Sequence, residues 1–141
     1  ILVCYDVEFP ELARRVSELG ARVLYVTFNT DDRQGYLRVR LCAQARAIEN
    51  QLYVVTSGCV GNLPFVENAD LHYAQSGIFT PSDVSFARDG VAEIADPNGE
   101  TGLVQDLDLQ LLARARRSGT VQTWNDRRLD LYNVVWRRSE S

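Results

Sequence analysis

No lysine and no methionine occur among these 141 residues, and all 15 basic side chains are arginine. A chemical step that needs a lysine ammonium therefore cannot be served from within this chain. Translated chains begin with Met, whereas this one begins Ile1-Leu2-Val3, so an internal or processed segment of a larger protein is expected. Histidine is nearly absent too, His72 being the single one. The cysteines, Cys4, Cys42 and Cys59, are odd in number, widely spaced and without a C-x-x-C pair. Structural zinc needs closely spaced Cys or His pairs, and disulfide frameworks belong to small, cysteine-dense secreted chains, so no metal, no cofactor and no disulfide is expected. No stretch is long and apolar enough to span a bilayer, and no signal peptide is visible. A net charge of −4 and a pI near 5.0 argue against a nucleic acid or an anionic membrane as partner. A cytoplasmic protein acting on a small molecule is the resulting expectation. The C-terminal arginines (Arg114, Arg116, Arg117, Arg127, Arg128, Arg137, Arg138) alternate with Asp126, Asp130 and Glu140, which reads as a solvated or interface face rather than a binding patch.

What the chain does contain begins at Cys4. It ends the apolar run Ile1-Leu2-Val3 and precedes Tyr5-Asp6-Val7-Glu8-Phe9-Pro10-Glu11, a strand-to-helix transition that projects a side chain clear of a sheet. The N–H groups that follow, Tyr5 first, are free at a helix start and suited to hold a developing oxyanion. Pro10 fits a first helical turn, Leu12, Val16 and Leu19 mark one face, and Gly20 ends the helix. Ala21 to Phe28 reads as a buried strand, Tyr36 to Asn50 as a helix with Leu37, Leu41, Ala45 and Ile48 at spacings of three and four, and Leu52 to Ser57 as a third strand. Strand-helix-strand-helix-strand implies a largely parallel sheet, whose sites form at the carboxyl ends of the strands. Cys4, the loop Asn29-Thr30-Asp31-Asp32 and the segment Ser57 to Asn62 all fall there and should converge. Further on, Tyr73 to Phe79, Val91 to Ile94 and Gly102 to Leu107 read as strands of antiparallel character, and Leu109 to Arg117 as a helix. Cys42 reads as a buried, inert thiol, and Cys59 as a strand-end residue that packs or lines a pocket. The tail, 118–141, carries Leu131, Tyr132, Val134, Val135 and Trp136, which need something to pack on.

These residues carry a resemblance. Cys4-Tyr5-Asp6-Val7-Glu8-Phe9-Pro10-Glu11-Leu12 is similar to the nucleophile motif of the nitrilase superfamily, the carbon-nitrogen hydrolases. Arg46-Ala47-Ile48-Glu49-Asn50-Gln51-Leu52-Tyr53-Val54-Val55 resembles the helix-to-strand segment that follows it there. Ala95-Asp96-Pro97-Asn98-Gly99 with Asp106-Leu107-Asp108 resembles the family's later turn and final strand. The likeness covers residues 1–117, and the variant Asp31-Asp32-Arg33-Gln34-Gly35-Tyr36-Leu37-Arg38-Val39-Arg40 resembles a branch sometimes joined to an acetyltransferase-like domain.

The resemblance implies an α/β fold, the C-terminal part of a four-layer α-β-β-α sandwich, with 118–141 as a tail that packs or contributes to a dimer interface. It also implies a Glu-Lys-Cys triad that cleaves a non-peptide amide or related C–N bond through a cysteine acyl intermediate. Only the cysteine maps here, as Cys4, because the family's Lys and base Glu lie before this motif. The chain alone is therefore expected to be inactive. A homodimer or larger assembly, pairing through helices near the cysteine motif and C-terminal segments, is expected as well.

The acidic residues near Cys4 divide by role. Asp6 and Glu11 sit in the first turns, where capping or pairing with Arg14 or Arg15 explains them. Glu8 stands where the family motif often has Arg, so it reverses a charge beside the nucleophile. With Asn29, Thr30 and Asp31 it makes a candidate substrate pocket tolerant of an amine, although a surface salt bridge explains Glu8 equally well. Two other readings stay open: a Cys-His hydrolase or glutamine-amidotransferase-like fold using Cys4 and His72, and a non-catalytic scaffold or dimerisation half.

Overall fold

A computed structural model describes residues 1–67 and 69–137. Asn68, before the His72 segment, and Arg138 and Glu140 of the basic tail lie outside the described residues.

One sheet of five strands organises the chain, in the order β1-β2-β3-β4-β5. Parallel pairing joins β1 (Leu2–Val3), β2 (Val23–Phe28) and β3 (Tyr53–Gly58). Antiparallel pairing adds β4 (Gly77–Phe79) and β5 (Val91–Ile94). The parallel half followed by an antiparallel meander agrees with the sequence pattern. Val3 lies opposite Thr27, and Thr27 opposite Ser57, so the carboxyl ends of three strands finish side by side. That edge holds the candidate site.

Helices cover one face of the sheet. α1 (Pro10–Glu18) starts on a proline, whose missing N–H costs nothing in a first turn, and Gly20 follows it at φ 105°. α2 (Arg33–Asn50) is capped by the Asp32 carboxylate, which accepts the Gly35 N–H at 2.7 Å. α3 (Leu109–Ser118) is capped in the same way by Asp108, which accepts from the Gln110 and Leu111 N–H groups. Tyr36, Val39, Ala43 and Ala47 of α2 pack with Leu24, Val26, Phe28 and Val54 of the strands in one buried core. On the opposite sheet face Tyr25, Thr27 and Ser57 are exposed, while Tyr53 and Ile78 are buried.

Several expectations change here. Of the regularly spaced apolar residues of α2 Leu37 packs against the core, whereas Leu41 is 60% exposed and Ala45 and Ile48 are also exposed. In α1 the buried residues are Ala13 and Ser17, while Leu12 and Leu19 are exposed. In α1 these small side chains sit against the neighbouring layer because they let the backbones approach, and Leu12 and Leu19 point away. Residues 102–107 form no strand among the described residues, since an alternating apolar pattern needs a neighbouring strand for its hydrogen bonds. Tyr73 to Phe79 contracts to Gly77–Phe79 because its first residues serve a loop: Tyr73 N–H bonds to the Thr30 carbonyl at 2.7 Å, and Ala74 and Asn98 exchange bonds.

The tail meets α1 at Trp136, whose ring lies 5.7 Å from the Arg15 guanidinium. Leu131, Tyr132, Val134 and Val135 remain exposed, whereas Trp124 is enclosed by arginines. Arg116 is no surface residue. It is 9% exposed and donates to the carbonyls of Asn50 and Gln51 at the end of α2.

Candidate active site

Cys4 takes a left-handed backbone conformation, φ 47°. Non-glycine residues rarely adopt it, and strain of this kind collects at functional turns. It lies between β1 and a 3₁₀ helix, Cys4–Glu8, which is the sharp strand-to-helix turn expected from the sequence. The Asp6 carboxylate accepts the Val3 N–H at 3.0 Å and so closes the turn from within. This is the capping role expected for Asp6. Glu11 makes no ion pair among the described residues. The Tyr5 N–H sits in the first helical turn, where the helix itself supplies no acceptor.

The half-buried Cys4 thiol donates to the Asn29 carbonyl at 3.6 Å, which ties the strand-to-helix turn to the end of β2. Two clefts open on it. One, of about 270 Å³, is lined by Cys4, Tyr5, Glu8 and Asn29 to Asp32 together with Gln34, Gly35, Arg38 and Val39. The other, of about 410 Å³, runs along the strand ends past Thr27, Phe28, Asn29, Ser57, Gly58 and Cys59. The strand-end segments converge on Cys4, and Cys59 lines a cleft. Cys42 is half-buried against the core.

The candidate binding residues differ in what they leave free. Glu8 pairs with Arg38 at 3.0 Å, Arg38 being the more exposed partner, and this ion pair forms part of the cleft wall. The Glu8 carboxylate raises the Arg38 guanidinium above its ordinary range. Thr30 is buried and spends its hydroxyl on the Tyr73 carbonyl at 2.7 Å, so it shapes the wall by packing. Asn29 offers its carbonyl to the thiol, Asp31 is exposed, and Asp32 is committed to capping α2. Arg38 was missed in the sequence because nothing in linear spacing pairs position 38 with position 8. His72 lines neither cleft: its ring faces the Gly61 carbonyl and its N–H bonds to Asn62. The Cys4–His72 pairing is therefore not formed. Among the described residues no group of three or more His, Cys, Asp or Glu is placed to hold a metal, and no helix is long and apolar enough to cross a membrane.

Known proteins can now be set beside this geometry. Over 138 residues the chain is 55% identical to the "Probable hydrolase YhcX" of Bacillus subtilis, covering 98% of this chain and 27% of that protein. The structure of Nit3 from Saccharomyces cerevisiae, a member of the nitrilase superfamily, matches with a TM-score of 0.66 at 28% identity, covering 82% of this chain and 39% of that one. A mutant amidase from Nesterenkonia sp. AN1, showing the result of Michael addition of acrylamide at its active site cysteine, matches with a TM-score of 0.57 at 26% identity, covering 92% of this chain and 42% of that one. The chain thus spans less than half the length of these relatives. The profile of the Carbon-nitrogen hydrolase family matches residues 1–117, and the chain belongs to that family.

Proposed function

We propose that this chain is the nucleophile-bearing, C-terminal part of a hydrolase that cleaves a non-peptide amide or related C–N bond through Cys4. The observation that carries the reading is the left-handed Cys4 at the end of β1, its thiol opening on both clefts. The Cys4 sulfur attacks the carbonyl carbon, and the Tyr5 N–H faces the developing oxyanion. Collapse of the tetrahedral intermediate breaks the C–N bond, the amine leaves with a proton, and water then cleaves the thioester to a carboxylic acid and the free thiol. A base Glu and an oxyanion-stabilising Lys come from polypeptide outside these residues, since the chain holds no lysine. Alone it is inactive, because members of a unit that act together cannot be removed singly without losing most of the rate. The adduct on the cysteine of the Nesterenkonia amidase supports a nucleophilic Cys4. The chain covers 27% of YhcX against 39% and 42% of the other two, and on that greater length we place it with the branch sometimes joined to a further domain.

Three carboxylates, Glu8, Asp31 and Asp32, share the smaller cleft with one guanidinium, Arg38. That excess favours an amide bearing an amine over one bearing a carboxylate. The exposed Leu12, Leu19, Leu41 and Ile48 support pairing of two copies through α1 and α2, and a cytoplasmic setting fits the free thiols.

The test is release of ammonia or amine by the full-length polypeptide that carries this chain, against a panel of amine-bearing and carboxylate-bearing amides. Cys4→Ala is expected to abolish turnover and labelling by a covalent thiol probe. Turnover retained in Cys4→Ala would sink the proposal, and a Cys4 no more reactive than Cys59 would favour a scaffold. Glu8→Gln is expected to lower kcat/KM for amine-bearing substrates by about tenfold relative to the others, the worth of one nearby charge pair. An unchanged preference would remove Glu8 from substrate selection.

A further inference from the structure

Arg46 is a charged side chain of α2 that is only 6% exposed. Its guanidinium reaches the rear of the nucleophile turn: Nε donates to the Val7 carbonyl at 3.0 Å and Nη2 to the Glu8 carbonyl at 3.1 Å. Nη1 meets the Glu49 carboxylate at 2.8 Å, which holds the fork in place. Those two carbonyls need an outside donor for a local reason. In a 3₁₀ helix the carbonyl of residue i accepts from the N–H of residue i+3. Phe9 N–H accordingly bonds to Asp6, but the next donor in the ladder belongs to position 10, and Pro10 has no N–H. Glu8 precedes Phe9, the N-cap of α1, so its carbonyl lies outside the α-helical ladder as well. A buried carbonyl left without a donor is destabilising, and the turn so loosened is the one that holds Cys4 at φ 47°.

We infer that Arg46 is a positioning residue for the Cys4 nucleophile, its guanidinium standing in for the N–H that Pro10 lacks and clamping the 3₁₀ turn from behind. Asp6 on the Val3 N–H fixes the front of the turn and Arg46 fixes the back. The five-residue helix between them cannot slide or unwind without breaking a charge-assisted bond. Both Pro10 and Arg46 are then needed: the proline starts α1 sharply after the turn, and the arginine repairs the ladder that the proline interrupts.

This inference rests on Cys4 acting as the nucleophile, and the experiment separates the two. In the full-length polypeptide, amide turnover per titrated active site is compared for wild type, Arg46→Ala, Cys4→Ala and the double variant Pro10→Ala/Arg46→Ala. Arg46→Ala should lower kcat about 10- to 100-fold, the effect of a nucleophile displaced by a fraction of an ångström to an ångström. KM should stay within about twofold, since ground-state binding is untouched. Pro10→Ala returns an N–H to the ladder, so the double variant should recover several-fold in kcat over Arg46→Ala. A folded Arg46→Ala with wild-type kcat per site overturns the inference, as does a double variant that recovers nothing. Should Arg46→Ala fail to fold, the double variant decides alone: folded and turning over within about tenfold of wild type it supports the inference, and otherwise it overturns it. Turnover surviving in Cys4→Ala defeats the reading of the nucleophile itself.

Discussion

Gly58 shows how tightly the candidate site is drawn at the level of single residues. A Cβ at this position would overlap the Phe28 ring and approach Ala74 Cβ to 2.5 Å, and both Phe28 and Gly58 line the larger cleft. Gly58→Ala should therefore destabilise the fold by about 1–3 kcal/mol, the cost of overpacking, read as a lowered urea midpoint. Asp83 offers a second residue-scale test. The Thr120 hydroxyl, followed by the Val84, Thr120 and Val121 N–H groups, holds its carboxyl below the ordinary range. A carboxyl depressed in the folded state stabilises fully above its unfolded value and loses that contribution as pH falls through the folded one. The melting temperature of Asp83→Asn should thus lie below wild type at pH 6, with the gap closing progressively as pH falls below the unfolded carboxylate value of about 3.9. A gap that persists in acid would remove the ionised carboxylate as its cause. The Cys4 turn, the Asp6 cap and the Glu8 ion pair were legible in the motif as residue types. Which arginine meets Glu8 was not, because Arg38 reaches it only through the packing of α2 beside the 3₁₀ helix.

Among the elements, α2 is where sequence and structure agree least on orientation and best on existence. Its span was close, Tyr36 to Asn50 expected against Arg33–Asn50 found. The extra turn comes from Asp32, whose carboxylate caps the helix three residues early. Asp32→Ala should cost about 1 kcal/mol, measurable by chemical denaturation, while leaving α1 and α3 intact by circular dichroism. The inward face did not follow from spacing, for a physical reason. Apolar residues surround this helix, so periodicity selects no side. Sheet contact instead selects Tyr36, Val39, Ala43 and Ala47, which nest against β2 and β3. Residues 102–107 teach the complementary lesson: local pattern proposes a strand, but only a neighbouring strand makes one, and none pairs with them among the described residues.

At the scale of the whole molecule, the end of α2 is the junction that ties the C-terminal segment to the sheet. Gln51 closes α2 in a left-handed conformation at φ 45°, and Arg116 from α3 donates to its carbonyl at 2.9 Å and to that of Asn50 at 2.6 Å. Burial, followed by Arg22, Arg14 and Arg127, draws the Arg116 guanidinium down to about 10, so it is still charged at neutral pH. Trp124 lies under Arg127, Arg116 and Arg14 at 4.3, 4.6 and 5.2 Å, which joins the tail to α1 and α3 through cation–π contacts. Arg116→Ala should lower stability by about 3 kcal/mol by stranding two carbonyls, and should release Trp124 to solvent with a red-shifted fluorescence maximum. An unshifted spectrum would show that Arg116 does not hold the tail. The sequence by itself determined the order of strands and helices, the parallel-then-antiparallel sheet and the candidate nucleophile, because periodicity, proline and glycine positions and a compact motif act over a few residues. Only the tertiary structure decided which face of each helix is buried, that Arg116 and Arg46 lie inside, and that Cys4 opens on two clefts. Those outcomes depend on contacts between residues tens of positions apart.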